Sequence, residues 1–366
     1  MRELTDDEKG WVILHECGFS SGTTGLTNKI YKYVSRGSDI LNYEEHKDDF
    51  IKILGIEKYN YLVEMCSYET LVLFENKNLL NGIDFLTVES VGYPRKLREM
   101  SNPPILLFYI GDVSLLETKS VAIVGTRATS NYGANITKRF ATELAQNGLT
   151  IVSGLAEGVD TFAHSGALEV GGKTIAVLAG GLKKIYPAMN LNLAKDIAKK
   201  GLIVTEYSYG TEFMKYNFPF RNRIIAGLSE GVLVTEASAK SGSRYTVQYA
   251  MEMNRNVYAI PGNITSYKSE YPNRLIKGCN ACMVMEPKDI LSDLNCVFVA
   301  KNNTPAKQMD LTQSRILDII REGEEVYYYE IQEKTQIEIS KLNGILLRME
   351  LMGLIIQLPG NKYRIN

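Results

Sequence analysis

Four short strings in this 366-residue chain carry residues able to hold an anion. The first is Gly125-Thr126-Arg127, which follows the apolar run Val121-Ala-Ile-Val and precedes an amphipathic stretch over 132–147. Glycine lets the backbone approach an anion closely. Thr126 adds a hydroxyl, Arg127 a guanidinium fork, and the following helix its unpaired N–H groups. The same tripeptide would also serve as a tight turn with a solvated arginine. The second string, Ser153-Gly154-Leu-Ala-Glu-Gly-Val-Asp160, repeats the order of strand, Ser-Gly and helix start. Asp160 reads as the N-cap and Thr161 as the first helical residue, with His164 a packed, hydrogen-bonded histidine. The third, Phe218-Pro-Phe220-Arg221-Asn222-Arg223, mixes arginines that hold phosphates with rings that stack on bases. Its alternative is structural: Phe218 and Ile224-Ile225 in the core, and the arginines paired to Glu206 or Glu236. The fourth, Lys240-Ser241-Gly242-Ser243-Arg244, sets small hydroxylated residues at a helix start, another anion nest. Four such turns in series at one sheet edge point to a polyanion.

The absences narrow the chemistry. The sequence shows no Walker loop, and the Ser153 string is not G-x-G-x-x-G. It also lacks an acidic residue about 20 positions on to hold a ribose, so dinucleotide binding is disfavoured. No serine, histidine and aspartate fall in a nucleophilic order. Glu157, Asp160, Glu206 and Glu236 are more simply caps and charge partners than acid–base catalysts. Cys279-x-x-Cys282 has no second pair, and with three histidines in the chain a four-ligand zinc site is not expected. We therefore expect no metal, no cofactor and no catalytic residue.

These strings need elements to position them. Apolar runs at 105–110, 121–124, 149–152, 174–178, 202–205, 231–235 and 257–260 alternate with helical patterns at 132–147, 161–171, 191–200, 220–228 and 245–254. That alternation implies right-handed βαβ units and a parallel sheet. Val121-Ala-Ile-Val is apolar throughout, as a strand covered on both faces must be. The fold class is α/β: an extended, Rossmann-like, doubly wound and mostly parallel sheet, whose ligand crevice lies at the carboxyl ends of its strands. Before it, residues 1–80 read as a small helical domain with glycine turns at Gly22, Gly25 and Gly37. The α/β domain spans 81–297. A polar linker at 298–311 leads to a tail at 312–366, where helices at 314–321, 327–334 and 338–352 precede strands at 354–358 and 363–365. Three helices and a hairpin make a winged helix.

Net charge is −1, so the total lacks a nucleic-acid binder's basic excess. Its distribution does not. Residues 1–80 hold 9 Lys/Arg and 14 Asp/Glu (9 − 14 = −5), whereas residues 121–262 hold 15 and 10 (15 − 10 = +5). The middle would attract an anion that the beginning would repel. The charged start resembles no signal peptide, and no apolar stretch reaches the roughly 18 residues of a membrane helix, so a cytoplasmic location is expected.

At these strings the chain resembles the DNA-processing protein A family, also called DprA or Smf. The resemblance runs from about Asp84 to Asp293. It rests on Tyr93-Pro94, Pro103-Pro104, Gly125-Thr-Arg, Ser153-Gly-Leu-Ala-Glu-Gly-Val-Asp, Ala163-His164, Gly171-Gly172-Lys-Thr-Ile-Ala-Val-Leu-Ala-Gly-Gly181, Tyr186-Pro187, Phe218-Pro-Phe-Arg-Asn-Arg-Ile-Ile-Ala-Gly, Ser241-Gly-Ser and Pro261-Gly262. It implies binding of single-stranded DNA without sequence reading, a homodimer, loading of the RecA recombinase, and a role in natural transformation. The residues it assigns to DNA are Gly125, Thr126, Arg127, Ser153, Gly154, Phe218, Arg221, Asn222, Arg223, Ser241, Gly242 and Ser243. Where the family often continues Leu-x-Thr-Ala, this chain has Arg244-Tyr-Thr-Val, so Arg244 is either a further DNA contact or a helix cap. Where the family often reads Asn-x-Leu-Ile-x-x-Gly-Ala, it has Asn273-Arg-Leu-Ile-Lys-Gly-Cys-Asn-Ala.

The reading is a non-enzymatic single-strand DNA binder, with bases stacked on Phe218 or Phe220. Two alternatives stay open: a nucleotide-binding or nucleotide-cleaving Rossmann enzyme, and an adaptor whose winged helix binds duplex DNA or protein.

Overall fold

The computed structural model describes residues 3–19, 25–78, 81–296, 310–323, 325–351 and 353–365. The expected linker at 298–311 falls almost wholly outside them. The chain forms two compact units, Met1–Phe298 and Val299–Asn366.

The first unit opens with helices α1 (Asp6–Glu16), α2 (Leu26–Tyr33), α3 (Ser38–Leu41), α4 (Lys47–Leu54), α5 (Ile56–Met65) and α6 (Tyr68–Lys77). A capping box starts α1: the Thr5 hydroxyl accepts from the Glu8 amide while the Glu8 carboxylate accepts from the Thr5 amide. These helices share one core with the sheet. Trp11 is buried and donates to Glu89 at 2.7 Å, and Phe74 of α6 meets Phe85 and Phe108 of the first two strands edge-on and tilted. The compositional boundary at residue 80 is thus not a break between compact units.

Nine strands follow: β1 (Asp84–Thr87), β2 (Leu106–Gly111), β3 (Ser120–Val124), β4 (Thr150–Ser153), β5 (Thr174–Val177), β6 (Leu202–Thr205), β7 (Gly231–Val234), β8 (Asn256–Ala259) and β9 (Cys282–Met283). Their order is β1-β2-β6-β5-β4-β3-β7-β8-β9; β1–β2 and β2–β6 are antiparallel and the other pairs parallel. The sheet is therefore mostly parallel, as the alternation of runs and helices predicted. Alternate side chains of β3 bury on opposite faces. Val121 and Ile123 pack with Phe140, Leu144 and Ala163; Ala122 and Val124 share a core with Ile224, Ile225 and Val247. The helices of this unit beyond β1 are α7 (Arg95–Arg98), α8 (Asn131–Gln146), α9 (Val159–Glu169), α10 (Leu191–Lys200), α11 (Asn217–Leu228), α12 (Ser243–Glu252), α13 (Glu270–Lys277) and α14 (Pro287–Asp293), of which α8, α9, α11 and α12 supply these residues. Strand order reverses at β3, so the crevice of a doubly wound sheet falls between the ends of β3 and β7.

The second unit has α15 (Leu311–Gly323), α16 (Tyr328–Thr335) and α17 (Ile339–Leu351) with a sheet ordered β10-β12-β11, made of β10 (Val326–Tyr327), β11 (Ile355–Leu358) and β12 (Lys362–Ile365). Ile316, Ile320, Leu342, Leu346 and Met349 form its core with Ile355 and Tyr363. This is the winged helix expected from the tail; Met352, placed at the end of its third helix, lies outside the described residues.

Candidate nucleic-acid interface

The loops at the ends of β3, β4 and β7 pack against one another. The Thr126 amide donates to the Glu236 carbonyl at 2.7 Å, and the Val159 amide donates to the Thr126 carbonyl at 3.2 Å. A Cβ at Gly125 would lie 2.5 Å from the Glu236 carbonyl and 2.6 Å from Val159, so only glycine permits this contact. A Cβ at Gly158, whose φ is +78°, would lie within 2.5 Å of the carbonyl oxygens of Thr126 and Arg127.

This packing fills two sites that sequence reasoning had left open for anions. The Glu236 carboxylate sits at the start of α8, accepting from the Thr129 hydroxyl (2.9 Å), the Ser130 amide (2.8 Å) and the Ser130 hydroxyl (2.5 Å). A carboxylate there is favoured by the helix dipole and binds the amide and hydroxyl of the N-cap Ser130, where a phosphate would otherwise sit. Asp160, in the first turn of α9, turns back to the loop beyond β4 and accepts from the amides of Gly154 (3.1 Å) and Ala156 (3.2 Å). It is not the N-cap expected from the sequence: α9 begins at Val159, with Gly158 as the cap. Burial raises the Asp160 carboxyl above its ordinary range, opposed by the Arg221 charge and the loop amides.

The two arginines of the third string turn inward. Arg221 is buried, donating to the Gly154 carbonyl at 2.8 Å and to the Val177 carbonyl. Burial lowers its pKa to about 10, with Asp160 pulling the other way. Arg223 is 2% exposed, pairs with the Glu206 carboxylate at 2.6 Å and lies 4.1 Å from the Phe220 ring centre. A buried charge needs a partner, and each arginine has one inside the protein: Arg221 the loop and strand carbonyls, Arg223 the Glu206 carboxylate. The expectation that Arg221 and Arg223 grip phosphates from solvent is corrected accordingly: Arg221 forms part of the cleft floor, and Arg223 lies away from the cleft. Phe220 is likewise committed to Arg223. Ser153 is corrected too, since it is fully buried and donates to the Ile123 carbonyl at 2.7 Å. Gly154 serves Arg221: a Cβ there would lie 2.5 Å from the guanidinium. Arg244 is exposed and donates to the Ala239 carbonyl at 2.9 Å in the loop before α12; it does not cap that helix, whose N-cap is Gly242.

The other residues assigned by sequence do converge. Gly125, Thr126, Arg127, Phe218, Asn222, Ser241, Gly242 and Ser243 line one open cleft of about 600 Å³. Arg127 is exposed, its guanidinium 5.2 Å from the Phe218 ring centre. Phe218 packs against Tyr186 (5.6 Å between ring centres) and Phe213 (6.3 Å), which are themselves 5.7 Å apart. Asn222 donates to the Gly242 carbonyl at 3.3 Å, and the Ser241 and Ser243 hydroxyls bond at 2.9 Å. Lys215, on the residues leading into α11, adds an exposed cation. Sequence reasoning did not assign Tyr186, Phe213 or Lys215 to the site. Tyr186-Pro187 stood among the family-like strings, and Lys215 stands three residues before Phe218; these were the available signals. His164 is buried, its Nδ1 2.7 Å from the Thr174 hydroxyl, and burial, helped by Arg221, pushes its pKa down to about 3.

A doubly wound α/β unit with a cationic, aromatic cleft at its switch point, joined to a winged helix, is the class of protein these features define. Residues 84–295 match the family model described as DNA recombination-mediator protein A, and residues 301–361 match the DprA winged helix domain. The chain belongs to the DNA recombination-mediator protein A family. It is 36% identical over 317 residues to Protein Smf of Synechocystis sp., covering 76% of this chain and 79% of that one. It is 46% identical over 201 residues to DNA processing protein DprA of Streptococcus pneumoniae, covering 55% and 71%. The solved structure of DNA processing protein A from S. pneumoniae superposes with a TM-score of 0.66 at 36% identity, covering 80% of this chain and 99% of that one. That of DNA processing protein A from Helicobacter pylori, described for its unique single-stranded DNA binding mode, gives 0.53 at 33%, covering 58% and 96%. Among the described residues no helix is long and apolar enough to cross a membrane.

Proposed function

We propose that the cleft binds single-stranded DNA along its backbone, without reading sequence and without catalysing a reaction. The observation that carries this reading is the Arg127–Phe218 pair, an exposed guanidinium beside a three-ring aromatic cluster. Arg127 and Lys215 supply cations for phosphates, and the rings supply faces for unstacked bases. Glu236 and Asp160 favour this over the nucleotide-enzyme alternative. Glu236 already occupies the start of α8, and Asp160 the loop amides beyond β4, where a nucleotide phosphate would bind, and both carboxylates are engaged by protein donors.

Family membership supports the finer roles: a cytoplasmic homodimer that shields incoming single strands and loads RecA on them during natural transformation and recombination. Calorimetry with oligothymidylate beside mononucleotides tests the binding reading. Tight binding of the oligonucleotide with a steep salt dependence is expected; mononucleotide binding at equal strength would overturn it. Solution mass tests the dimer, and RecA filament formation on oligothymidylate, with and without the protein, tests loading.

A further inference from the structure

The segment between β6 and α11 carries Phe213 to the aromatic cluster, and the N-terminal helices hold that segment. His15, near the end of α1, sets Nε2 2.9 Å from the Glu206 carbonyl and Nδ1 3.3 Å from its neighbour Glu16. The Ser208 hydroxyl donates to the same Glu16 carboxylate at 2.6 Å, and the Tyr209 amide donates to Asn78, just beyond α6, at 3.1 Å. Glu206 has a second tie, because its carboxylate pairs with Arg223 of α11, the helix that bears Phe218. α1 is thus tied to Glu206, which leads along the chain to Phe213 and, through Arg223, to the helix that bears Phe218.

Both His15 nitrogens face acceptors: Nε2 the Glu206 carbonyl, and Nδ1 the Glu16 carboxylate together with the Ser208 hydroxyl oxygen at 3.4 Å, whose proton is given to Glu16. A neutral imidazole has one N–H and can satisfy one of them; the imidazolium has two and satisfies both. We propose that His15 and Glu16 are positioning residues for the DNA cleft, and that the charged His15 clamps the 206–213 segment so that Phe213 completes the stacking cluster. This rests on the single-strand reading of the cleft.

The surroundings favour the charged ring. Burial opposes it, but the Glu16 hydrogen bond and charge, with the Glu206 carbonyl and carboxylate charge, prevail and raise the His15 pKa above its ordinary 6.5. Glu16 is correspondingly lowered: burial raises it, and His15, Ser208 and the Lys77 charge from α6 outweigh that. From β2 the Phe108 ring meets His15 edge-on and brings no charge. A raised histidine pKa means the clamp is whole at low pH and is lost as pH rises through the folded-state value.

The test is labelled-oligothymidylate anisotropy from pH 5.5 to 9 at fixed ionic strength, on the full chain and on His15→Gln, Glu16→Gln and Arg127→Ala. Wild-type affinity is expected to fall about three- to tenfold through the His15 titration, the scale of one ordinary intramolecular hydrogen bond. Glu16→Gln moves that fall to lower pH. His15→Gln, whose amide offers N–H donors but no titration, flattens it. Arg127→Ala lowers affinity at every pH without changing the profile. If His15→Gln and Glu16→Gln both keep the wild-type profile, the clamp is overturned. If Arg127→Ala also binds like wild type, the reading of the cleft has failed as well. Should His15→Gln not fold, the Glu16→Gln shift decides alone.

Discussion

The floor and the rim of the cleft use the same kinds of residue to opposite ends. On and beneath the floor, Arg221, Arg223, Asp160, Glu206 and Glu236 are buried and have their charges met inside the protein. On the rim, Arg127 and Lys215 are exposed beside aromatic rings that no buried charge has claimed. The floor sets the loops in place and the rim is left to meet a ligand. A motif such as Phe218-Pro-Phe-Arg-Asn-Arg therefore does not act as one site. Alternate members of a single helix turn face different surroundings: Phe218 and Asn222 line the cleft, and Phe220 and Arg223 stack on each other away from it.

The largest effect should come from below the floor. Arg223→Ala strands the Glu206 carboxylate in a buried place, and breaking such a pair costs about 3–5 kcal/mol. The urea midpoint of the first unit should fall sharply, and any DNA defect should track that loss. Unchanged stability with selectively lost DNA binding would reverse the roles of floor and rim. On the rim, Phe218→Ala should leave the urea midpoint within about 1 kcal/mol, since the ring is only half-buried. It should weaken oligothymidylate binding by about 1–3 kcal/mol, the worth of one base stacked on one ring.

Arg127→Ala should come next, with roughly a tenfold loss that is equal for different sequences. The slope of log affinity against log salt should become shallower by about 0.7, the value of one released counterion on a single strand. A change in sequence preference instead would contradict backbone recognition.

The comparison also explains what the sequence could disclose. Buried parallel strands must be apolar throughout, so β3 to β8 were legible as runs, and the doubly wound order followed from their spacing with the helices. The edge strands were not: β1 is a short antiparallel edge, and β9 has two exposed residues. The helical start reads as a separate domain because its charge and period differ, yet the rings of Phe74, Phe85 and Phe108 knit it to the sheet, and composition cannot report such packing. In the site, glycines and the exposed Arg127 were visible because their chemistry is local. The burial of Arg221 and Arg223, the capture of the α8 start by Glu236 and that of the loop amides beyond β4 by Asp160 depend on partners 17 to 107 positions away along the chain or folded back in a loop. Tyr186 and Phe213 join Phe218 from separate segments for the same reason.

The smallest effect is expected furthest from the cleft. The described part of the winged helix has Arg315, Arg321, Lys334, Lys341, Arg348, Lys362 and Arg364 set against Asp310, Asp318, Glu322, Glu325, Glu330, Glu333, Glu338 and Glu350. Lys362 is further occupied by Glu325 at 3.4 Å and by the Tyr327 ring at 4.9 Å. A surface so balanced draws little on counterion release. Removing residues 299–366 should change oligothymidylate affinity by less than about twofold and leave its salt slope alone, because the cations that set the slope stand on the rim. Anisotropy on the shortened and full chains at two salt concentrations checks this. A shallower slope in the shortened chain would mean that the winged helix shares the strand with the cleft.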